Sequence, residues 1–390
     1  MDFDYTPEEK AFRKEVAEVV RAGVAKPGVL SDGMGVRYVD TPERRGFIKE
    51  LADAGYLGVS WGTEYGGQGK STIYDYLLNE ELALQAAPTS GKGVGIIGRS
   101  IQRRGTDEQK AFFLPQILRG EIEWAIGYTE PDSGSDLASM KLRATKDGDG
   151  WRLNGQKRFT TSAHFADWYF LAARTGTGEK KHQGITLFLL RMDTPGLEVH
   201  GLECMNGERT NEVFFDDVYV PDDQVLGEVG QGFYYMSQAL DFERHILFPW
   251  GQLQRMYDRL LDWVREATID GEPVRDDPRI REAVAKLSIE LELARLLSVN
   301  VVVTDDPDLA NVGSAMNKIA ASELYQELSN TALDLIGSGA WLVEDAEEAV
   351  AGGVFQRNLR TGVIQAVGAG ANEIQRNIIA RRGLKLPNPI

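Results

Sequence analysis

Residues Lys141–Thr161 read KLRATKDGDGWRLNGQKRFTT. Short runs rich in β-branched and aromatic residues are punctuated here by Asp147-Gly148, Asp149-Gly150 and Asn154-Gly155, dipeptides that favour tight turns between strands. The same grammar extends to both sides, in EWAIGYTEP before this stretch and in WYFLAAR, GITLFLLR, LEVHGL and EVFFDDVYVP after it. These patterns predict a compact β-barrel or sandwich over residues 121–230.

On either side of this block the pattern is helical. In residues 1–120, TPEEKAFRKEVAEVV opens with a Thr cap and acids in the first turn, and ERRGFIKELADAGYLG ends at a glycine. WGTEYGGQG reads as a glycine-rich loop. Gly93, Gly95 and Gly98 match G-x-G-x-x-G, but that fingerprint requires a strand before it, and ELALQAAPTSGK reads as helix followed by loop, so nucleotide binding is not expected there. Residues 231–390 are helical again, with long amphipathic segments over Arg279–Val303, Ala310–Ile336 and Asn372–Arg382. An acidic linker, TIDGEPVRDDP, separates two of these helices. An N-terminal all-α domain, a middle β-barrel and a C-terminal four-helix bundle are therefore expected.

Composition excludes several classes of function. A net charge of −16 over 390 residues argues against a nucleic-acid surface or an anionic-membrane patch. The single cysteine, Cys204, permits no intrachain disulfide and suits the reducing cytoplasm. The start, MDFDYTPEEK, carries acids where a signal peptide carries basic and then apolar residues, and apolar runs such as Val301–Val303 are too short to span a bilayer. His164, His182, His200 and His245 are not at metal-ligand spacing from one another, so no metal site is expected.

One helical stretch carries a chemical anomaly. In Met236–Val264, MSQALDFERHILFPWGQLQRMYDRLLDWV, residues Met236, Ala239, Leu240, Ile246, Leu247, Trp250 and Tyr257 form one apolar stripe, and Glu243 falls inside it. A carboxyl held among apolar groups has a raised pKa, which is how a proton acceptor is made to work near neutral pH. The competing reading is that the helix rotates or bends, Pro249 supplying the bend, and that Glu243 reaches solvent. Arg244 would then be a plain ion-pair partner.

Four segments, YTEPDSGSD (128–136), WRLNGQKRFTTSAHFADW (151–168), VFFDDVYVP (213–221) and GAGANEIQRNIIARRGL (368–384), occur in an order and layout that resemble the acyl-CoA dehydrogenase family along essentially the whole chain. The resemblance implies a flavoenzyme that uses FAD to oxidise an acyl-CoA thioester between Cα and Cβ. A carboxylate would remove the α proton, and electrons would pass to an electron-transferring flavoprotein. Carried over by position, Thr129 and Thr161 would contact the flavin ring, and Phe159 stands where the family usually has a Trp against it. Ser135 would contact the cofactor phosphates or the substrate, and Arg244 is a substrate-contact candidate beside the base. On the residues alone, Phe159 and Trp168 read first as strand core, and the threonines as ordinary β-formers; the resemblance reverses that preference.

Two departures from the family pattern are informative. Most members carry the base in the C-terminal segment, but that position here falls in Gly368-Ala369-Gly370 and holds no carboxylate. A smaller group, resembling the isovaleryl- and long-chain-type enzymes, carries it in an LD-x-ER segment, and this chain reads Leu240-Asp241-Phe242-Glu243-Arg244. Periodicity and resemblance therefore converge on Glu243. Homomeric members also complete a neighbour's FAD site through an R-x-x-F-G segment and later glutamines. Here those positions read Ala267-Thr268-Ile269-Asp270-Gly271, Pro278 and Asp334, and an Asp facing a pyrophosphate would repel it.

A chain equipped to receive a flavin but not to donate to a neighbour's resembles the heteromeric actinobacterial dehydrogenases of steroid side chains. The expectation is the base-bearing subunit of an α2β2 assembly with a second acyl-CoA dehydrogenase-like chain. Rival readings are a dehydrogenase of carrier-protein thioesters, an acyl-CoA oxidase, or a non-catalytic structural subunit, which the missing carboxylate at Ala369 motivates.

Overall fold

The computed structural model describes residues 4–29, 40–304, 306–344 and 346–387, without the side chains of residues 240–247, 307 and 308. In chain order the helices of the first part are α1 (Pro7–Val24), α2 (Pro42–Asp53), α3 (Thr72–Leu84), α4 (Gly98–Arg104) and α5 (Asp107–Leu118). The strands β1 (Trp124–Gly127), β2 (Arg143–Asp147), β3 (Gly150–Lys157), β4 (Trp168–Arg174), β5 (Ile185–Arg191), β6 (Leu197–Glu203), β7 (Arg209–Pro221) and β8 (Val225–Leu226) follow. Then come α6 (Gly232–Leu247), α7 (Trp250–Glu266), the short strands β9 (Thr268–Ile269) and β10 (Glu272–Pro273), α8 (Pro278–Val303), α9 (Pro307–Ile336), α10 (Val354–Val367) and α11 (Asn372–Ile378). Among the described residues no helix is long and apolar enough to cross a membrane.

The chain divides into two compact units, one made of residues 37–70 and 90–243, the other of residues 1–36, 71–89 and 244–390. The first contains one eight-stranded sheet in the order β6-β7-β3-β2-β4-β5-β8, with β1 parallel to β4. Residues of β1 to β5 and β7, from Ala125 to Val220, share a single apolar core, so the sheet closes around its own inner face as a barrel-like body. Asp147 pairs with Gly150 across the two-residue turn Gly148-Asp149, and Gly148 takes the positive φ of +58° that the first position of a type II′ turn requires. Asn154-Gly155, which also reads as a turn, lies instead within β3. It forms a bulge against β7, with Gly155 at φ +143° and the Asn154 Oδ1 accepting the Asp217 N–H at 2.9 Å. Phe113 of α5 packs on Trp124 of β1 and Trp168 of β4, with ring centroids 5.3 and 4.7 Å away, so Trp168 is core as one of its two readings holds.

Two buried charges lock the entry to this sheet. Lys157, at the end of β3, is fully buried, and its Nζ donates to Glu130 Oε1 at 2.8 Å and to the Tyr128 carbonyl at 3.0 Å. The Glu130 carboxylate also accepts the backbone N–H groups of Lys141 and Leu142, so the loop between β1 and β2 folds around one anion. Burial pushes the Lys157 ammonium down to about 8, with Glu130 opposing the shift.

In the second unit, α7, α8, α9 and α10 bury one cluster that includes Leu253, Leu260, Leu287, Leu291, Tyr325, Leu328 and Phe355, which is the expected four-helix core. Helix α1 carries the anticipated Thr cap, and it is a full capping box, Thr6 Oγ1 accepting the Glu9 N–H at 3.2 Å while Glu9 accepts that of Thr6 at 2.8 Å. The acidic linker forms a hairpin: Ile269 pairs with Glu272 around Asp270-Gly271, both at positive φ as a type I′ turn demands. The expected continuous helix over Met236–Val264 is divided, because Pro249 is the N-cap of α7 and its backbone is extended. The stripe therefore runs over two helices, with Met236 and Ala239 buried on α6 and Tyr257 buried on α7.

Pro249 gives α7 no side-chain cap, and Glu80 of α3 takes that role. Its buried carboxylate accepts the Trp250 N–H at 3.1 Å and the Gly251 N–H. The approach is so close that a Cβ on Gly251 would meet the Glu80 carbonyl oxygen at 2.4 Å. Burial raises the Glu80 carboxyl to about 7, against the lowering influence of the two N–H donors and Arg13.

Two outcomes are expected. A carboxyl raised in the fold from 4.5 to about 7 favours folding below pH 4.5, and that contribution is lost as pH rises through 7. Denaturant unfolding from pH 5 to 8 should therefore show the wild type losing up to roughly 3 kcal/mol relative to Glu80→Gln, whereas parallel curves would refute the assignment. Lys157→Met leaves the Glu130 anion buried without its cation and should cost about 3–5 kcal/mol, with Glu130→Gln added to it restoring part of the loss.

Candidate functional site

The loop after β3 is the most unusual backbone in the first unit. Phe159 and Ser162 both take left-handed φ values, +57° and +75°, in a chain of L residues that resists them by roughly 1–2 kcal/mol each. Several bonds hold the loop there. The Arg158 N–H donates to the Thr129 carbonyl at 2.8 Å, bringing the exit of β3 to the exit of β1. Thr160 exchanges backbone bonds with Asn211 of β7, its N–H donating to the Asn211 carbonyl at 2.9 Å and its own carbonyl accepting Asn211 Nδ2 at 2.8 Å. The Thr160 and Tyr169 hydroxyls lie 2.8 Å apart, and the Tyr169 phenol is raised by burial. Lys92 Nζ reaches Ser162 Oγ at 2.8 Å and the carbonyls of Trp124 and Thr161 at 3.4 Å each.

This scaffold gathers Thr129, Phe159 and Thr161 at one edge of the sheet. Phe159 is 58% exposed, unlike the core residue its strand-like sequence also suggested, and its left-handed backbone points an aromatic face outward. Thr129 and Thr161 are half-buried, and among the described residues neither hydroxyl is used in a hydrogen bond. An exposed aromatic face between two available hydroxyls, on a clamped backbone, suits a flat heteroaromatic ring with polar edges, and the isoalloxazine of FAD is such a ring. Ser135 is exposed on the neighbouring Glu130–Asp136 loop, apart from that patch in sequence but tied to it through Glu130. Asp136 is held below the usual carboxylate range by the Ser139 hydroxyl and Lys181.

Glu243 and Arg244 belong to α6, and their side chains lie outside the described residues. Ala369, at the position that carries the base in most of the resembled family, has φ +52° in the Gly368–Gly370 turn between α10 and α11, and its carbonyl accepts from Gln375 at 3.4 Å. G-x-G-x-x-G proves to be a packing device. It opens a single π-helical turn, Gly93–Ile97, with α3 and then loop before it. A Cβ on Gly98 would meet the Trp61 ring at 2.3 Å, and one on Gly93 would meet Trp124 at 3.1 Å. Sequence reading missed Lys92, Asn211 and Tyr169. The one available signal was a lysine set between Gly91 and Gly93, in a stretch with no other charge before Arg99.

Comparison with known proteins bears directly on this arrangement. The family models for the N-terminal, middle and C-terminal domains of acyl-CoA dehydrogenase match residues 6–121, 125–218 and 230–384. The chain is 31% identical to the acyl-CoA dehydrogenase FadE29 of Mycobacterium tuberculosis over 99% of both chains. It is 34% identical to the acyl-CoA dehydrogenase IpdE1 of the same organism over 91% of each. Among solved structures, a chain of the ChsE4-ChsE5 complex from Mycobacterium tuberculosis superposes with a TM-score of 0.90 at 28% identity, all of both chains being covered. A chain of the Tcur3481-Tcur3483 steroid ACAD superposes at 0.89 with 30% identity, again over both chains in full. The chain belongs to the acyl-CoA dehydrogenase family, the FAD-dependent oxidoreductases of the CH–CH bond.

Proposed function

We propose that this chain is the base-bearing subunit of a heteromeric acyl-CoA dehydrogenase, with a second dehydrogenase-like subunit completing the flavin site and a bulky, steroid-type acyl-CoA as substrate. The observation that carries the reading is the exchange of base positions. No carboxylate stands in the Gly368–Ala371 turn, while helix α6 carries Glu243 in an LD-x-ER segment. Glu243 takes the α proton of the thioester; bound FAD would supply the acceptor for the β hydride. Thr129 and Thr161 hold the ring through their hydroxyls, Phe159 lies against it, Ser135 meets the cofactor phosphates or the substrate, and Arg244 orients the substrate beside the base. The domains divide at 1–120, 121–230 and 231–390. Electrons leave to an electron-transferring flavoprotein, and the single Cys204 suits a reducing cytoplasm.

The heteromeric part rests on what the chain does not offer a neighbour. Asp270 and Gly271 form the tip of the β9–β10 hairpin, Pro278 begins α8, and Asp334 lies near the end of α9, where the family's donated Arg, Phe and Gln residues would stand. The likeness to chains of two-component complexes, one of them titled a steroid ACAD, supports the same reading and suggests the substrate class.

Glu243→Gln should retain flavin and lose at least about three orders of magnitude in turnover of a CoA thioester, the upper part of the range for a positioned general base. Unchanged turnover in the assembled enzyme would favour a structural subunit. Flavin absorbance against protein mass should be low for the chain purified alone and rise on co-expression with its partner, to one FAD for every two dehydrogenase-like chains. A homotetramer with one FAD per chain would overturn the split site.

A further inference from the structure

We propose that Lys92 is a positioning residue for the flavin, holding the Arg158–Ala163 loop in its receiving conformation from outside the cofactor patch. This rests on the reading that Thr129, Phe159 and Thr161 face the ring.

The loop's geometry gives Lys92 its role. Phe159 and Ser162 are both left-handed without being glycine, so the loop keeps its shape only where neighbouring bonds over-determine it. From the β7 side Asn211 fixes Thr160, and Tyr169 fixes the Thr160 side chain. From the opposite side the reach of Lys92 supplies the restraint. An ammonium has three N–H donors, and among the described residues this one reaches Ser162 Oγ at 2.8 Å and the Thr161 and Trp124 carbonyls at the longer distance of 3.4 Å. One side chain thus joins the start of β1, which leads to Thr129, to the two residues that follow Phe159 and Thr160. Ser162 is buried, so its hydroxyl has lost the water that could replace this partner.

The approach of Lys92 is built into the backbone on both sides of it. Gly91 has φ +84°, turning the chain just before Lys92, and the π-helical turn that follows seats Gly93 against Trp124 and Ile117, where a Cβ would come within 3.1 and 3.2 Å. A π turn inserts one residue into a helix and re-aims what precedes it, and such turns occur frequently at functional sites. The glycine triplet that mimics a nucleotide fingerprint therefore serves the flavin indirectly, by letting the turn that follows Lys92 seat closely on Trp124 and Trp61. Arg158, in the loop itself, pairs with Glu212 at 3.3 Å, Arg209 and Asp40 act on the exposed His164, and burial together with Arg209 and Lys92 lowers the His164 imidazole. Asn211 Nδ2 lies 3.1 Å from His164 Nδ1, on the face of the loop that Asn211 holds.

The test uses the flavin-loaded enzyme with any subunit that co-purifies. Lys92→Met keeps an unbranched apolar side chain one atom shorter and removes all three donors. Amide hydrogen exchange over residues 159–163 should quicken at least tenfold, and flavin release, followed by its fluorescence, should quicken at least tenfold, while exchange in β4 and β5 stays unchanged. Lys92→Arg should recover part of both, and Ser162→Ala should add less to Lys92→Met than it costs alone, since both remove one contact. Unchanged exchange over 159–163 would overturn the proposal, showing the loop to be held without Lys92. Faster exchange with unchanged flavin release would overturn it by the other route, showing that the loop does not face the flavin. If Lys92→Met fails to fold, Ser162→Ala alone carries the same two readouts.

Discussion

Glu130 and Lys157 are buried together, and the local structure of the sheet edge that carries Thr129 and Phe159 depends on that pairing. Moving either charge out of water costs several kcal/mol, which is recovered only when opposite charge and hydrogen bonds surround it. Lys157 spends its donors on Glu130 and on the Tyr128 carbonyl, and Glu130 spends its acceptors on Lys157 and two backbone N–H groups. Each of those contacts fixes a segment that carries a site residue. Tyr128 and Glu130 flank Thr129, and Lys157 precedes Arg158 and Phe159. An apolar pair of the same volume would pack as well, but it would leave the Lys141 and Leu142 N–H groups unsatisfied and the loop between β1 and β2 without a centre.

Elements decided by local chemistry were the legible ones. Thr6 with Glu9, and Trp168–Arg174 with Ile185–Arg191, have the residue spacing of a capping box and of buried strands, and nothing distant competes with them. Where two local signals agree on a turn but tertiary pairing continues past them, the sequence misleads. Asn154-Gly155 has the chemistry of a hairpin turn, yet β3 continues through it because β7 offers partners on both sides of the bulge. TIDGEPVRDDP reads as a linker because its acids and prolines suit one, while the Asp270-Gly271 pair inside it is enough to close a hairpin. Pro249 marks a real break, but nothing near it in sequence shows that Glu80, far back in α3, supplies the missing cap.

The candidate site was legible in the side chains that the family pattern marks and illegible in those that bond to the backbone behind them. Thr129, Phe159 and Thr161 fall in recognisable segments, and the structure gathers them. Ser135 is on the same connected loops, and Glu243 and Arg244 lie on a helix whose side chains are undescribed there. Lys92, Asn211 and Tyr169 left no comparable trace, because each bonds to main chain or to a hydroxyl, and such partners have no sequence correlate. Positive φ at Phe159 is likewise invisible in the letters, since phenylalanine is among the residues least expected to adopt it.

The proposed placement of the base on a helix rather than on a turn has a physical consequence of its own. A side chain on α6 is held by a backbone whose hydrogen bonds are internal to the helix, so its origin is fixed more tightly than one on the Gly368–Gly370 turn. That turn is left free to be small. Ala369 accepts a left-handed φ with only a methyl group, and Gly370 follows at +88°, with a Cβ there meeting Gln375 Nε2 at 2.6 Å. A glutamate at Ala369 would place a long, charged side chain on a strained residue whose carbonyl is already used by Gln375. With no carboxylate at position 369 that conflict does not arise, and the turn is made of three small residues, Gly368, Ala369 and Gly370.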